Sequence, residues 1–119
     1  MLKEHNTKTG QLGESLARKY LERKGYRILE QNYRTRYAEI DLVARKKDVL
    51  VFVEVRTKVG ERFGTPEETL NWKKLQKVKR NAVAYASRVK WKKLYRGDAV
   101  CIVLAEDHTL QRIAHYENI

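Results

Sequence analysis

The stretch Glu39-Ile40-Asp41-Leu42-Val43-Ala44 and, after a short basic turn, the stretch Val51-Phe52-Val53-Glu54-Val55-Arg56-Thr57-Lys58 decide the fold of this chain. Both stretches alternate with a period of two, which predicts two β-strands. The turn at residues 45–48 is short and polar, and it predicts that the two strands lie side by side. The first strand then carries Glu39 and Asp41 on one face, and the second carries Glu54, Arg56 and Lys58 on one face.

Carboxylates inside apolar strands need a physical reason, because burying an ionised acid is costly unless the acid is paired or binds a metal. One interpretation is that Asp41 and Glu54 converge on a single divalent cation. The other is that both acids pair with Arg45, Arg56 and Lys58 as an ion network across the strands. The strand pattern by itself leaves both interpretations open.

The whole sequence predicts a single α/β domain that spans residues 1–119. The first three strands are expected to form an antiparallel meander, and the fourth, nearly all apolar, is expected to be central in a mixed sheet or covered on both faces. A second helix is expected to begin at the capping box Thr65-Pro66-Glu67-Glu68. The predicted elements are a helix at 11–24 that stops at Gly25, strands at 26–33, 38–45 and 49–57, the second helix, a strand at 98–104 and an edge strand at 110–116.

The chain is strongly basic, with 26 Lys and Arg against 15 Asp and Glu and a formal net charge of +11. This excess favours a polyanionic partner, and nucleic acid is the expected one. An anionic membrane surface and simple solubility are the competing explanations, but no apolar run has the length of a membrane span. We expect phosphate contacts from the turn before the second strand, for which a solvated loop is the alternative, and from the next strand and helix: Arg34, Arg36, Lys58, Lys73, Lys74, Lys77 and Arg80.

Cysteine and histidine give little sign of chemistry. Cys101 is the single cysteine and lies in an apolar strand, so we expect it to be packed in the core. His5, His108 and His115 lack the spacing of a zinc site and are expected at the surface. Residues 1–6 lack the apolar core of a signal peptide, so a cytoplasmic location is expected.

Taken together, these motifs resemble the YraN family of small uncharacterised bacterial proteins, which shares the restriction-endonuclease-like fold with the archaeal Holliday-junction resolvases. That fold consists of a helix, a three-stranded antiparallel meander, a helix and a strand, which matches the predicted order. The likeness is concentrated between the N-terminal helix and the second helix. The matching segments are Gly10-x-x-Gly13-Glu14-x-x-Ala17-x-x-Tyr20-Leu21, Gly25-Tyr26-x-Ile28-Leu29-x-x-Asn32-Tyr33-Arg34, both strand segments quoted above, and Lys74.

The resemblance implies a metal-dependent endonuclease that acts on DNA, branched or damaged, in recombination or repair. It implies catalytic roles for Glu14, Asp41, Glu54 and Arg56, and a Mg²⁺ or Mn²⁺ ion held by Asp41, Glu54 and the main-chain carbonyl of Val55. Glu14 also has an ordinary interpretation, as an acid in the first turn of a helix. A homodimer, as in resolvases that cut two strands, is left open.

The chain departs from the family pattern at two positions. Ala38 stands where the family usually has Gly, and Arg56 stands where nucleases of this fold usually have Lys. An arginine stays protonated and cannot act as a general base, but it can stabilise negative charge on a phosphate, and Lys58 lies two residues further on. A non-catalytic nucleic-acid-binding module is therefore the alternative to a nuclease, and an RNA-binding accessory protein is a third interpretation.

Overall fold

The predicted order of elements is present in the computed structural model, which describes residues 7–36 and 38–119. Residues 1–6, for which no signal peptide was expected, lie outside the described residues, and so does Tyr37 of the basic turn. The elements are α1 (Lys8–Arg23), β1 (Arg27–Arg34), β2 (Glu39–Lys46), β3 (Val49–Val59), a 3₁₀ turn (Glu67–Thr69), α2 (Trp72–Arg88), β4 (Leu94–Leu104) and β5 (Leu110–Tyr116).

One sheet contains all five strands in the order β1-β2-β3-β4-β5. β1, β2 and β3 form the predicted antiparallel meander. β3 and β4 are parallel, with α2 in the connection between them, and β5 pairs with β4 antiparallel at the edge. The mixed sheet and two helices confirm the predicted α/β class and are consistent with a restriction-endonuclease-like core that carries an extra edge strand.

The sheet has an apolar core on each face, and the alternation of β3 supplies both. Val51 and Val53 pack in the cluster that includes Ala17 and Leu21 of α1. Leu50 and Phe52 pack in the cluster that includes Val78, Ala82 and Tyr85 of α2. Since side chains alternate along a strand, Glu54 lies on the α2 side of the sheet. No helix in the described part of the chain has the length and apolar character needed to cross a membrane.

The second helix begins later than the capping box predicted. Thr65 does accept a hydrogen bond from the Glu68 N–H, but the helical turn that follows is a short 3₁₀ segment. Leu70 then takes an extended conformation, with ψ at 119°, and interrupts the helix. Asn71 caps α2, its side chain accepting from the N–H groups of Lys73 and Lys74. The new start places the first turn of α2, with Lys74, over the sheet.

His115 is buried, which contradicts its predicted surface position. Its Nε2 donates to Asp98 at 2.7 Å, and its Nδ1 accepts from Lys24 at 2.8 Å. Burial disfavours the charged form of Asp98, but hydrogen bonds from His115 and Arg96 outweigh it and leave the pKa of Asp98 below its usual value. The cluster ties β4 and β5 to the end of α1.

Gly13 sets the distance between α1 and the sheet. A Cβ at this position would overlap the Thr57 hydroxyl of β3 and crowd the rest of that side chain. The helix backbone therefore lies against the strand as only glycine allows. Glu14 is the next residue of α1, so the close approach of α1 to β3 also fixes the position of this acid.

We expect Gly13→Ala to destabilise the protein by about 2 kcal/mol, because the added methyl group forces α1 away from β3. Urea denaturation measures the loss. Ser15→Ala, on the exposed side of the same helix, is the matched control and should change stability little. Thr57→Ala should recover part of the loss in the double variant, and equal costs of Gly13→Ala with and without Thr57 would contradict the packing account.

Arg112 of β5 binds the connection that leads to α2. Its Nη1 lies 2.7 Å from Glu67, and its Nη2 lies 3.2 Å from Glu61. Tyr116 adds a 2.7 Å hydrogen bond to Glu67. The edge strand and the 3₁₀ turn are therefore joined by charge-assisted hydrogen bonds.

Acid should weaken this joint. The hydrogen bonds from Arg112 lower the pKa of Glu67 from 4.5 to about 2. A lowered folded-state pKa gives stability that is fully present above pH 4.5 and is lost as the pH falls through about 2. The gap in melting temperature between the wild type and Glu67→Gln should therefore narrow between pH 6 and pH 2.5. A gap that stays constant over this range would show that the pair does not stabilise the fold.

Candidate metal and nucleic-acid site

The candidate site lies where β2 and β3 separate. The ladder between these strands runs from Lys46↔Val49 to Leu42↔Val53, and the next positions in the same register are Asp41 and Glu54. There the Asp41 side chain takes the place of a main-chain partner: Oδ2 accepts the Val55 N–H at 2.8 Å. Asp41 is 4% exposed. The bond fixes one oxygen of a buried carboxylate beside the residue that follows Glu54.

Glu54 is the most buried acid of the site, at 2% exposure, and two cations contact the same oxygen. Arg56 Nη2 lies 2.8 Å from Glu54 Oε2, and Lys74 Nζ lies 3.0 Å from it. The Arg56 side chain is largely buried, and its Nε has no hydrogen-bond partner among residues 7–36 and 38–119. The negative charge of Glu54 is thus compensated from its own strand and from α2.

Glu14 enters from the opposite face of the sheet, on α1. It is buried, at 4% exposure. Asn32 of β1 donates to Glu14 Oε1 at 2.8 Å. Asn32 has a positive φ of 52°, a backbone conformation that asparagine tolerates better than most residues. The left-handed backbone conformation in β1 therefore occurs at Asn32, the residue whose side-chain amide binds Glu14.

The strand register puts Asp41 and Glu54 at neighbouring positions, but the described residues do not gather three acids into one cluster. Among the described residues, no three His, Cys, Asp or Glu side chains are placed to hold a metal ion. Glu14 therefore does not complete a three-carboxylate centre, and its catalytic role stays a prediction. The alternative ion network is realised in part, with Arg56 on Glu54 as expected and with Lys74 in the place foreseen for Lys58 or Arg45.

Glu39, the other acid of β2, balances positive charge. Arg34 donates to Glu39 Oε2 from Nε at 3.0 Å and from Nη2 at 2.8 Å. Most of the Arg34 side chain remains exposed beyond this bond. The pair therefore holds a guanidinium at the surface at the start of β2, while Glu39 is buried beneath it.

The basic turn before β2 is held against α2 by Asn81. This buried asparagine accepts from the Thr35 hydroxyl at 2.6 Å and donates to the Ala38 carbonyl at 2.9 Å. These two hydrogen bonds attach the turn, which carries Arg34 and Arg36, to α2, whose outer side is basic. The predicted phosphate-contacting residues that are exposed are Arg34, Arg36, Lys73, Lys77 and Arg80, while Lys58 and Lys74 are half-buried.

Sequence reasoning missed Asn81, Asn32 and the contact between Lys74 and Glu54. Asn81 offered one signal, since it is a polar residue on the arc of α2 that also carries Val78 and Tyr85. A polar residue on a packed arc must find buried partners, and here it finds a loop. The partners themselves were not visible, because a helical period says nothing about which loop lies beneath it.

The chain is similar to a family of bacterial proteins over most of its length. The model of the uncharacterised protein family UPF0102 matches residues 13–102, a range that includes every candidate site residue. A UPF0102 protein of Caldanaerobacter subterraneus is 39% identical over 120 residues, covering 98% of each chain. One of Fervidobacterium nodosum is 40% identical over 96% of this chain and 83% of its own. One of Syntrophomonas wolfei is 50% identical over 67% of this chain and 70% of its own.

In metal-free solution, Glu54→Gln should destabilise the protein by about 3 kcal/mol, because it leaves Arg56 and Lys74 side by side at a neutral amide. Urea denaturation in EDTA measures this. Adding Lys74→Met to Glu54→Gln should restore part of the loss. Asp48→Asn, which removes one partner of an exposed pair with Lys93, is the control and should change little. A Glu54→Gln protein more stable than the wild type would mean that the acids repel more than the cations compensate.

Proposed function

We propose that this chain, which belongs to the UPF0102 or YraN family, is a metal-dependent nuclease that hydrolyses phosphodiester bonds in branched or damaged DNA. The observation that carries the proposal is the pair of buried carboxylates, Asp41 and Glu54, where β2 and β3 separate, with Arg56 and Lys74 beside them. A chain of net charge +11 around this pair suits a polyanionic substrate.

The donors fit a magnesium ion or, equally, manganese. Mg²⁺ prefers hard oxygens and keeps several waters, so one or two carboxylates and a substrate phosphate suffice. Asp41 and Glu54 would hold it, and the Val55 carbonyl is the further donor that the family resemblance implies. When bound, such a cation lowers the pKa of a water and neutralises charge on the scissile phosphate. The proposal therefore requires two acids rather than three.

The cations of the site have a second role in this proposal. Arg56 and Lys74 both contact Glu54 Oε2, which keeps two positive groups next to each other at a partly open position. A phosphodiester offers two nonbridging oxygens, and Arg56 can bind them while it stays protonated. Lys74 supplies from α2 the lysine that β3 lacks at position 56. Both groups would stabilise the negative charge that grows on phosphate in the transition state.

The proposed reaction is simple hydrolysis. A water oxygen forms a bond to phosphorus while the bond from phosphorus to the leaving nucleoside oxygen breaks. One water proton ends on the leaving oxygen as an alcohol, and the other goes with the phosphomonoester or to solvent. The Asp41 carboxylate would keep one orientation beside the reacting groups, because it cannot rotate without losing the hydrogen bond from the Val55 N–H.

The exposed basic residues support a path for the nucleic-acid backbone. Asn81 joins the turn that carries Arg34 and Arg36 to α2, and both arginines are exposed, as are Lys73, Lys77 and Arg80 of the helix. Phosphate contacts of this kind position a substrate without reading its sequence. The same surface serves DNA or RNA, so the substrate panel must include both.

A non-catalytic binding module is the second candidate, and one observation favours it. Glu54 already has two cations on one oxygen, so its charge is compensated without a metal. In that case the acids would position basic groups for phosphate binding, and Arg56, which cannot serve as a general base, would be no loss.

The direct test is cleavage of a panel of linear, single-stranded, flapped and four-way DNA and of RNA, with Mg²⁺ or Mn²⁺. We expect the wild type to cut at least one substrate. Asp41→Asn and Glu54→Gln should lower the rate about 100-fold or more, since both would remove a metal ligand. Arg56→Lys should retain activity, and Lys74→Ala should lose much of it.

Binding measured in EDTA separates chemistry from affinity. Asp41→Asn should bind as the wild type does, and Lys77→Glu should bind more weakly, with a shallower dependence of affinity on salt. Asp48→Asn, an exposed acid in the turn between β2 and β3 and at the far end of β3 from Glu54, is the matched control for both assays. Salt-dependent binding without cleavage of any substrate would replace the nuclease by the binding module, and no binding at low salt would overturn both.

A further inference from the structure

Phe63 is the most exposed of the large hydrophobic side chains that the structure describes, at 88%. It lies in the connection from β3 to α2, between Gly60 and Gly64. A single exposed apolar residue is common on protein surfaces and has no meaning by exposure alone. Two further features of Phe63 bear on its role: the backbone conformation of its turn and the neighbouring Arg62.

The turn that carries Phe63 is bonded to β4 at one end and is closed by a hydrogen bond within itself. Gly60 donates its N–H to the Leu104 carbonyl at 2.8 Å, and Gly64 donates to the Glu61 carbonyl at 3.2 Å. Both glycines have positive φ, at 68° and 121°, so the turn uses conformations that other residues avoid. Arg112 holds the Glu61 side chain. The ring is thus presented by an ordered turn, which lowers the entropy lost when a ligand stacks on it.

The surroundings of the ring favour a ligand that is flat and carries negative charge nearby. The Arg62 guanidinium lies over the Phe63 ring, 5.3 Å from its centroid. Two acids near the turn, Glu61 and Glu67, are bound by Arg112 and so repel an anion less than free acids would. A third, the exposed Glu68, has its carboxylate beside Gly64. An aromatic face beside an arginine is the combination that binds a nucleobase and its phosphate.

The turn also lies on the route that a bound strand would take. β3 carries Glu54, Arg56 and then Lys58, which is about 13 Å along the strand from Glu54. The chain leaves β3 just beyond Lys58, passes Phe63, and returns as α2, whose Lys74 contacts Glu54. Nine positions separate Glu54 from Phe63 in the chain, which limits the distance between them to about 32 Å.

From these contacts we infer that Phe63 is a stacking platform for an unpaired base of the nucleic acid whose backbone binds β3 and α2. The inference rests on the proposed function and deepens it by naming the substrate class. A continuous duplex hides the faces of its bases, so Phe63 selects a strand with at least one unpaired base, as at a flap, gap or junction.

The experiment measures binding in EDTA, so that cleavage has no part in it. Oligonucleotides carry 2-aminopurine, whose fluorescence is quenched by stacking, either in a single strand or in a full duplex. Phe63→Ala should weaken binding of the single strand about 5-fold to 100-fold, the cost of losing one stacked base, and should leave duplex affinity unchanged. Phe63→Trp should preserve binding and the fluorescence change.

Leu94→Ala is the matched control. Leu94 is 73% exposed and pairs with Val49, at the opposite end of β3 from the turn, so its loss should change neither affinity. The same single strands are also made as RNA. The sugar that the site prefers is that of the strand, DNA or RNA, whose affinity falls more in Phe63→Ala. If the wild type binds with steep salt dependence but Phe63→Ala lowers neither affinity, or lowers both equally, the stacking role is wrong and the proposed function stands. If the wild type binds no nucleic acid at low salt, both fail.

Discussion

The hydrogen bond from the Val55 N–H to Asp41 Oδ2 is the constraint on which the site depends. It lies one step beyond the last main-chain pair of β2 and β3, Leu42↔Val53. A buried N–H needs an acceptor, and here a side chain supplies it where the two backbones part. The strands can therefore separate without leaving a main-chain donor unsatisfied. Beyond this point Glu54 pairs with Arg56 and Lys74.

The second constraint is electrostatic, because the charge of the buried Glu54 is compensated by residues from two different elements of the fold. Glu54 is buried in the sheet and is stabilised by Arg56 from β3 and by Lys74 from α2. Lys74 can reach it because Leu70 interrupts the helix and Asn71 starts a new one over the sheet. The same helix carries Asn81, which holds the basic turn before β2. The helix α2 thus supplies the lysine that pairs with Glu54 and the asparagine that binds the turn before β2. It also exposes a basic surface to solvent.

The strand alternation in the sequence was sufficient to predict the meander, a fourth strand covered on both faces and the neighbouring strand positions of Asp41 and Glu54, because these follow from a period of two and a short turn. The start of α2 was predicted wrongly, since a capping box marks a helical turn but not its length. The contacts of Glu14 with Asn32 and of Glu54 with Lys74 were not predictable in the same way. Each depends on a backbone detail, a left-handed residue or an interrupted helix, that leaves no periodic trace. His115 was missed because edge strands also bury polar side chains when a partner such as Asp98 is in place.

The central claim is that Asp41 and Glu54 form a divalent-cation site that Arg56 and Lys74 compensate in its absence. The most direct measurement is anomalous diffraction at the manganese edge from crystals of the wild type and of Asp41→Asn grown with Mn²⁺. The account predicts a peak bound by Asp41 and Glu54 in the wild type, a shift of Lys74 or Arg56 away from Glu54 Oε2, and no peak in Asp41→Asn. A wild-type crystal with no peak at these acids, in which both cations still contact Glu54, would contradict it.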